Sequence, residues 1–203
     1  MESHQVRKLQ IGCGANLLDD WLNTDVNPTP RIIFLDATRR LPFANSTFNY
    51  VFCEHMIEHI EYQKAAQFVR EVYRILRPGG KFRAATPDLR FVIELYGEVK
   101  NDARQEYISW MFNQLHDFDV ELDSVVINYL MRGFTPAHKF IYDFKTLKML
   151  LVKNGFSDII SYGPGESDDE QLKGVEGHGR MVPRKFNDME TLVVECTKPE
   201  LVT

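Results

Sequence analysis

Leu9-Gln10-Ile11 runs straight into Gly12-Cys13-Gly14. An apolar run this short, closed by glycines, reads as a buried strand emptying into a tight turn. The plan repeats along the first half of the chain. Leu22 to Val26 reads as a second strand ending in an acid, Asp25, and Arg31 to Leu35 as a third closed by Asp36. Asn49 to Cys53 reads as a fourth, followed by Glu54-His55. Tyr62 to Leu76 carries Ala66, Val69, Val72, Tyr73 and Leu76 at three- and four-residue steps, the period of an amphipathic helix, and Arg77-Pro78-Gly79-Gly80 stops it. Lys81 to Ala85 follows as a fifth strand. Strands alternating with helices predict a mostly parallel sheet covered by helices.

Further on the pattern changes. Residues 89 to about 135 read mostly as helix rich in aromatics, among them Phe91, Tyr96, Tyr107, Trp110, Phe112, Phe118 and Tyr129. Those aromatics are expected in a core rather than in a ligand cage. Phe144 to Lys153 is another helix and Phe156 to Tyr162 a sixth strand. Residues 163 to 189 read as a long polar loop with a solvated acidic patch, Glu166 to Glu170, and Thr191 to Cys196 as a last strand pairing antiparallel with the sixth. Asn16 to Trp21 is long enough for one helical turn.

Length and charge narrow the class. The 203 residues fit one domain, 1–203, with 89–140 as a helical insertion within it. The net charge of -5 and the absence of a basic run argue against a nucleic-acid partner. No apolar window is long enough to span a membrane, and the first residues lack an apolar signal core, so a cytoplasmic protein is expected. The cysteines, Cys13, Cys53 and Cys196, form no CxxC pair, so they predict buried thiols and no metal site. Oligomeric state is not readable.

In an open parallel sheet, ligands bind outside the carboxyl ends of the strands. Gly12 and Gly14, Asp25, Asp36 and Glu54-His55 all belong there. Glycines let a backbone approach a ligand, and a strand-end carboxylate accepts ribose hydroxyls or an amino group. Asp25 would serve also as a turn former before Asn27-Pro28; its strand-end place favours the ligand role. A dinucleotide fingerprint needs a third small residue where Leu17 stands, which disfavours that reading.

These segments resemble class I S-adenosylmethionine (SAM)-dependent methyltransferases of the type 11 kind. Leu9 to Gly14 is similar to the family's first motif. Asp36-Ala37-Thr38-Arg39-Arg40-Leu41-Pro42-Phe43, with Ser46 to Val51, is similar to its acid, Leu-Pro-Phe, Phe-Asp pattern. Glu54-His55-Met56-Ile57-Glu58-His59 matches the segment after its fourth strand, and Leu76 to Phe82 the turn before its fifth. The resemblance covers residues 8 to 88 well and 139 to 197 loosely. It implies a Rossmann-like α/β fold, a seven-stranded sheet with an antiparallel last strand, and SAM as cofactor. By the same resemblance Gly12 and Gly14 line the methionine part of SAM, Asp25 holds the ribose hydroxyls, Asp36 and Ala37 meet the adenine, and Glu54 and His55 lie beside the sulfonium.

The chain departs from that pattern. Asn16 stands where a third glycine is common, and Asn49 replaces the usual Asp. Only five residues separate Asp25 from Arg31, too few for a crossover helix, so the sheet is expected to be trimmed at its strand 2/3 edge.

Methyl transfer from SAM to a small-molecule or sugar acceptor, at oxygen or nitrogen, is the expected activity. A base would help a hydroxyl acceptor, which makes His55 and His138 the candidate catalytic residues, with His116 and His178 behind them. His59 reads as structural and Glu58 as a solvated helix residue. The insertion 89–140 is the expected acceptor lid. The other readings are a non-catalytic SAM-binding or partner protein, a SAM-fold enzyme of different chemistry such as aminopropyl transfer, and an interaction protein using its 163–189 loop.

Overall fold

The structure, a computed structural model, describes residues 7–97, 101–115, 122–133 and 136–200. Seven strands form one sheet: β1 (Lys8–Ile11), β2 (Leu22–Asp25), β3 (Ile33–Phe34), β4 (Phe48–Glu54), β5 (Leu76–Pro87), β6 (Ser157–Tyr162) and β7 (Thr191–Thr197), in the order β3-β2-β1-β4-β5-β7-β6. The first five pair parallel, and β7 runs antiparallel between β5 and β6. The expected Rossmann-like sheet with an antiparallel last strand is the one that forms.

Its centre is apolar on both faces. Val51, Phe52 and Cys53 of β4 and Phe82, Ala84 and Ala85 of β5 are all fully buried, as parallel strands covered on both sides require. Helix α1 (Tyr62–Ile75) turns Ala65, Phe68, Val69, Val72 and Ile75 into this core, one face of a 3.6-residue period. Each such side chain contributes about 1.5–3 kcal/mol of burial. All three cysteines are free and buried.

The trimmed edge is visible. Strand β3 has two residues, and Ile33 and Phe34 are both exposed. The one-turn helix expected over Asn16 to Trp21 does not form. The Asn23 side chain accepts from Leu18 N (3.1 Å) and donates to Leu18 O (3.0 Å), and Asp20 adopts φ +62°. The loop is thus folded by a side chain that competes with helical hydrogen bonds. Strand β5 enters at Leu76, before the expected Lys81, because Arg77 to Gly80 bulge out of the ladder opposite Phe48 to Tyr50.

After β5 come α2 (Leu89–Glu94), α3 (Asp102–Phe112) and α4 (Asp123–Arg132). Asp88 and Asn101 cap the first two by accepting from Arg90 N and Arg104 N. These helices build a second core from Phe91, Leu95, Tyr107, Ile108, Val126 and Leu130, joined by Phe186. Phe91 and Tyr107 are buried as expected, whereas Tyr96 is exposed; Phe118 lies outside the described residues. Helix α5 (Phe144–Lys153), capped by Asp143, packs on the main core.

The segment 163–189 is more than a polar loop. Leu172 and Val175 are buried, a 3-10 turn occupies His178–Arg180, and α6 (Arg184–Glu190) leads into β7. Within its acidic patch, Glu166, Asp168 and Glu170 are exposed as expected, but Asp169 pairs with Lys81 (2.9 Å) and accepts from Tyr50 (3.1 Å). No helix among the described residues is long and apolar enough to cross a membrane.

Candidate active site

The carboxyl ends of β1, β2 and β4 open onto one cavity of about 340 Å³, with Gly12, Gly14, Asp25, Asp36, Ala37 and His55 among its lining. The turn after β1 explains why glycine stands there. Gly12 and Gly14 sit at φ +71° and +50°, which disfavours side chains. A Cβ on Gly12 would lie 2.5 Å from the Met56 side chain, whereas one on Gly14 would project into open space. Gly12 N and Cys13 N donate to Thr24 O (2.8 and 3.0 Å), tying the turn to β2.

Asp25 closes β2 and accepts from Gly14 N at Oδ2 (3.0 Å) and from Asn27 N at Oδ1 (2.9 Å). Each oxygen keeps a second lone pair for a ligand hydroxyl. Asp36 is more fully engaged. Its Oδ1 accepts from Thr38 N (2.9 Å) and Thr38 Oγ1 (2.7 Å), bonds that hold its pKa below the ordinary carboxylate value, and its Oδ2 pairs with the largely exposed Arg39. This turn, not a longer β3, brings Asp36 and Ala37 to the cavity wall. Burial and the nearby Asp25 push the Cys13 thiol up to about 11, so it is no nucleophile at neutral pH.

Glu54 is not among the residues lining this cavity. Its carboxylate accepts from Gly177 N (2.8 Å), His178 N (2.9 Å) and Asn16 Nδ2 (3.2 Å), clamping residues 175–178 over the glycine turn. Asn16 also donates to Val175 O (3.0 Å), and a Cβ on Gly177 would lie 2.4 Å from its side chain. Asn16 does not take up left-handed backbone; it serves the turn through its side chain.

His55 follows β4 at φ +45°, sparsely populated backbone for a side chain of this size. The hydrogen bond from its N–H to Ala85 O (2.9 Å) holds it there. Its Nδ1 lies 3.2 Å from Glu58 Oε1, an ion pair without hydrogen-bond alignment, and its Nε2 has no protein partner. Burial opposes charging His55; the Glu58 carboxylate, with Glu54 and Glu190 further off, outweighs burial and raises its pKa. Burial likewise favours neutral Glu58, but His55 and neighbouring groups outweigh it and lower its pKa. Glu58 is fully buried, not solvated, and also accepts from Thr86 Oγ1 (3.0 Å).

A second cavity, of about 380 Å³, lies between the sheet edge and the insertion. His55 and His59 line both cavities. The second has apolar walls, including Phe91, Trp110, Met111 and Tyr129, with His138, His178 and Glu190 as polar groups. His138 is brought there by Lys139 N and Phe140 N, which donate to Glu58 O (2.7 and 3.2 Å), and burial lowers its pKa. The His178 ring lies against His55 with centroids 3.9 Å apart and planes tilted by 40°, and its Nε2 meets Glu190 Oε1 (2.9 Å), whose other oxygen accepts from Tyr107. Sequence reasoning ranked His178 low and missed Glu190 altogether. Their signal was a histidine between glycines, followed by a short helix with bases at its start and acids at its end, in a segment read as solvent loop. His116 lies outside the described residues.

Residues 9–84 match the model of a methyltransferase domain family. An uncharacterized protein of Saccharomyces cerevisiae is 30% identical over 132 residues, covering 63% of this chain and 14% of that protein, so the chain spans a small part of its curated relative. A SAM-dependent methyltransferase from Archaeoglobus fulgidus superposes with TM-score 0.57 at 15% identity, over 96% of this chain and 87% of that one. One from Mesorhizobium loti gives 0.54 at 16% identity, over 95% and 90%. A phosphoethanolamine N-methyltransferase of Haemonchus contortus, solved with S-adenosylhomocysteine (SAH), gives 0.50 at 16%, over 96% and 49%. At these identities the likeness is one of fold. The match to a methyltransferase domain over residues 9–84 and this sheet order give the chain the fold of the SAM-dependent methyltransferases it resembles.

Proposed function

We propose that the chain transfers a methyl group from SAM to oxygen or nitrogen of a small acceptor with a flat apolar body, held in the cavity beneath the insertion. The observation that carries this reading is the meeting of the two cavities at His55 and His59. The first cavity fits SAM: Gly14 leaves open space where a side chain would stand, and Asp25 keeps lone pairs for two hydroxyls. The second suits an apolar acceptor over a sugar, because aromatic and aliphatic side chains dominate its walls and its polar groups gather at the histidine end.

When bound, SAM supplies a methyl group already activated on a sulfonium. What is left to the protein is alignment, exclusion of water and removal of a proton. Gly12, Gly14 and Asp25 hold the donor side, and Asp36 with Ala37 forms the wall expected to meet the adenine. Trp110, Met111 and Tyr129 hold the acceptor's body, with residues 89–140 as its cover. His55, in its neutral form, keeps Nδ1–H toward Glu58 and presents Nε2 to the seam, where it accepts the acceptor's proton. His178, backed by Glu190, packs against the His55 ring and limits its rotation. His138 completes the polar end and orients the acceptor.

The test is turnover of SAM to SAH over a panel of flat phenols, flat amines and monosaccharides, with wild type and His55→Gln. Turnover of flat compounds, lost in the variant, supports the reading. Turnover of sugars alone, or turnover equal in His55→Gln, contradicts it. SAM binding with no turnover of either class favours a non-catalytic SAM-binding protein.

A further inference from the structure

Glu58, His59 and His138 each offer one ligand atom, and the three atoms lie within 4.8 Å of one another. His59 lines both cavities and His138 the second, with their rings 4.8 Å apart, centroid to centroid, and Glu58 lies buried behind them. We propose that they bind a divalent transition metal ion, zinc by the chemistry of the donors, with one coordination position open to the acceptor cavity. Two imidazoles and one carboxylate around an open position form a donor set that zinc accepts, at bond lengths of about 2.0–2.2 Å. Small side-chain rotations bring the three atoms to that spacing.

Two independent features point the same way. The Glu58 side chain is wholly removed from solvent, yet its Oε1 has only His55 Nδ1 beside it, at 3.2 Å and without hydrogen-bond alignment. The Nδ1 of His59 is likewise buried without a hydrogen-bond partner. A buried polar atom left unmatched in a native fold, as His59 Nδ1 is, calls for an explanation, an ion among them, and a buried carboxylate gains from a second cation beside its histidine. The outer contacts suit a metal too. The second Glu58 oxygen accepts from Thr86 Oγ1, and backbone bonds from Lys139 and Phe140 to Glu58 O fix His138 against the same turn. Cysteine spacing could not reveal this site, because its ligands are histidines and a glutamate from two distant segments.

The ion's use in catalysis rests on the methyltransferase reading; its binding does not. At the open position it would hold the acceptor's hydroxyl or amino group and lower that group's pKa. The proton released goes to His55 Nε2.

The experiment uses the purified full chain, stripped with a chelator and titrated with Co(II), with Zn(II) as competitor. One equivalent bound, with the strong visible absorption of a four-coordinate site, is expected in wild type. That absorption should vanish in His59→Gln and in His138→Gln and persist in His178→Gln. No stoichiometric binding, binding undiminished in both ligand variants, or loss in His178→Gln would overturn the assignment. Should a ligand variant fail to fold, proton NMR of the wild-type Co(II) form decides: a pair of strongly shifted imidazole N–H resonances supports the site, and their absence overturns it. SAH titration of the same samples keeps the two readings apart, since Co(II) binding without SAH binding would sink the methyltransferase reading and leave the metal site standing.

Discussion

The proposed cofactor edge and the proposed acceptor side of this molecule are built on different principles. At the cofactor edge, Gly12, Gly14, Asp25 and Asp36 act through backbone turns and strand ends within one stretch of chain. On the acceptor side, the cavity is assembled from side chains of distant segments: His55 after β4, Trp110 on α3, His138 at the end of the insertion, and His178 with Glu190 near the C-terminus. The first is set by local conformation, and the second by tertiary packing.

Substitutions can break that division or sharpen it. The largest effect is expected at the seam. His55→Gln should lower kcat about 10²–10⁴-fold, the usual worth of a general base, while SAH affinity measured by calorimetry changes little. A parallel loss of SAH binding would mean that the two regions are not separable.

Next comes the clamp that anchors the segment 163–177 to the sheet. Arg83 is fully buried; it pairs with Glu176 and Glu195, and it donates to Glu166 O (2.8 Å). Arg83→Met leaves two buried carboxylates without their cation and should cost about 3–5 kcal/mol in urea unfolding. If the cost is below about 1 kcal/mol, the clamp does not hold the segment 163–177.

Trp110→Ala should act on the acceptor side alone. It should raise acceptor KM on the order of tenfold and leave SAH affinity unchanged. The smallest effect concerns acid. Lys81 and Tyr50 outweigh the burial of Asp169 and lower its pKa, so its contribution is whole above the ordinary aspartate range, about pH 4, and is lost as pH falls through the lowered value. Asp169→Asn should therefore cost at most about 1 kcal/mol at pH 7, and this difference should fade in acid unfolding scans.

The same contrast explains what was legible in the sequence. The glycine turn, the strand-end acids and the trimmed edge could be read because each depends on neighbours a few residues away. The insertion's helical character was legible too. The absent turn over Asn16 to Trp21 was not, because the Asn23 side chain takes over the Leu18 backbone. The burial of Glu58 was not, because its hydrogen-bond partner Thr86 comes from the end of β5. His178 and Glu190 were hidden in a segment whose polarity is spent on the protein itself, through Arg83, Lys81 and the Glu54 clamp.

The most direct test of the whole account is calorimetric titration with SAM and SAH of wild type and Asp25→Ala. The account predicts one site in wild type, and its loss in a variant that remains folded by circular dichroism. A folded wild-type protein that binds neither ligand, or an Asp25→Ala variant that binds as wild type does, would contradict it.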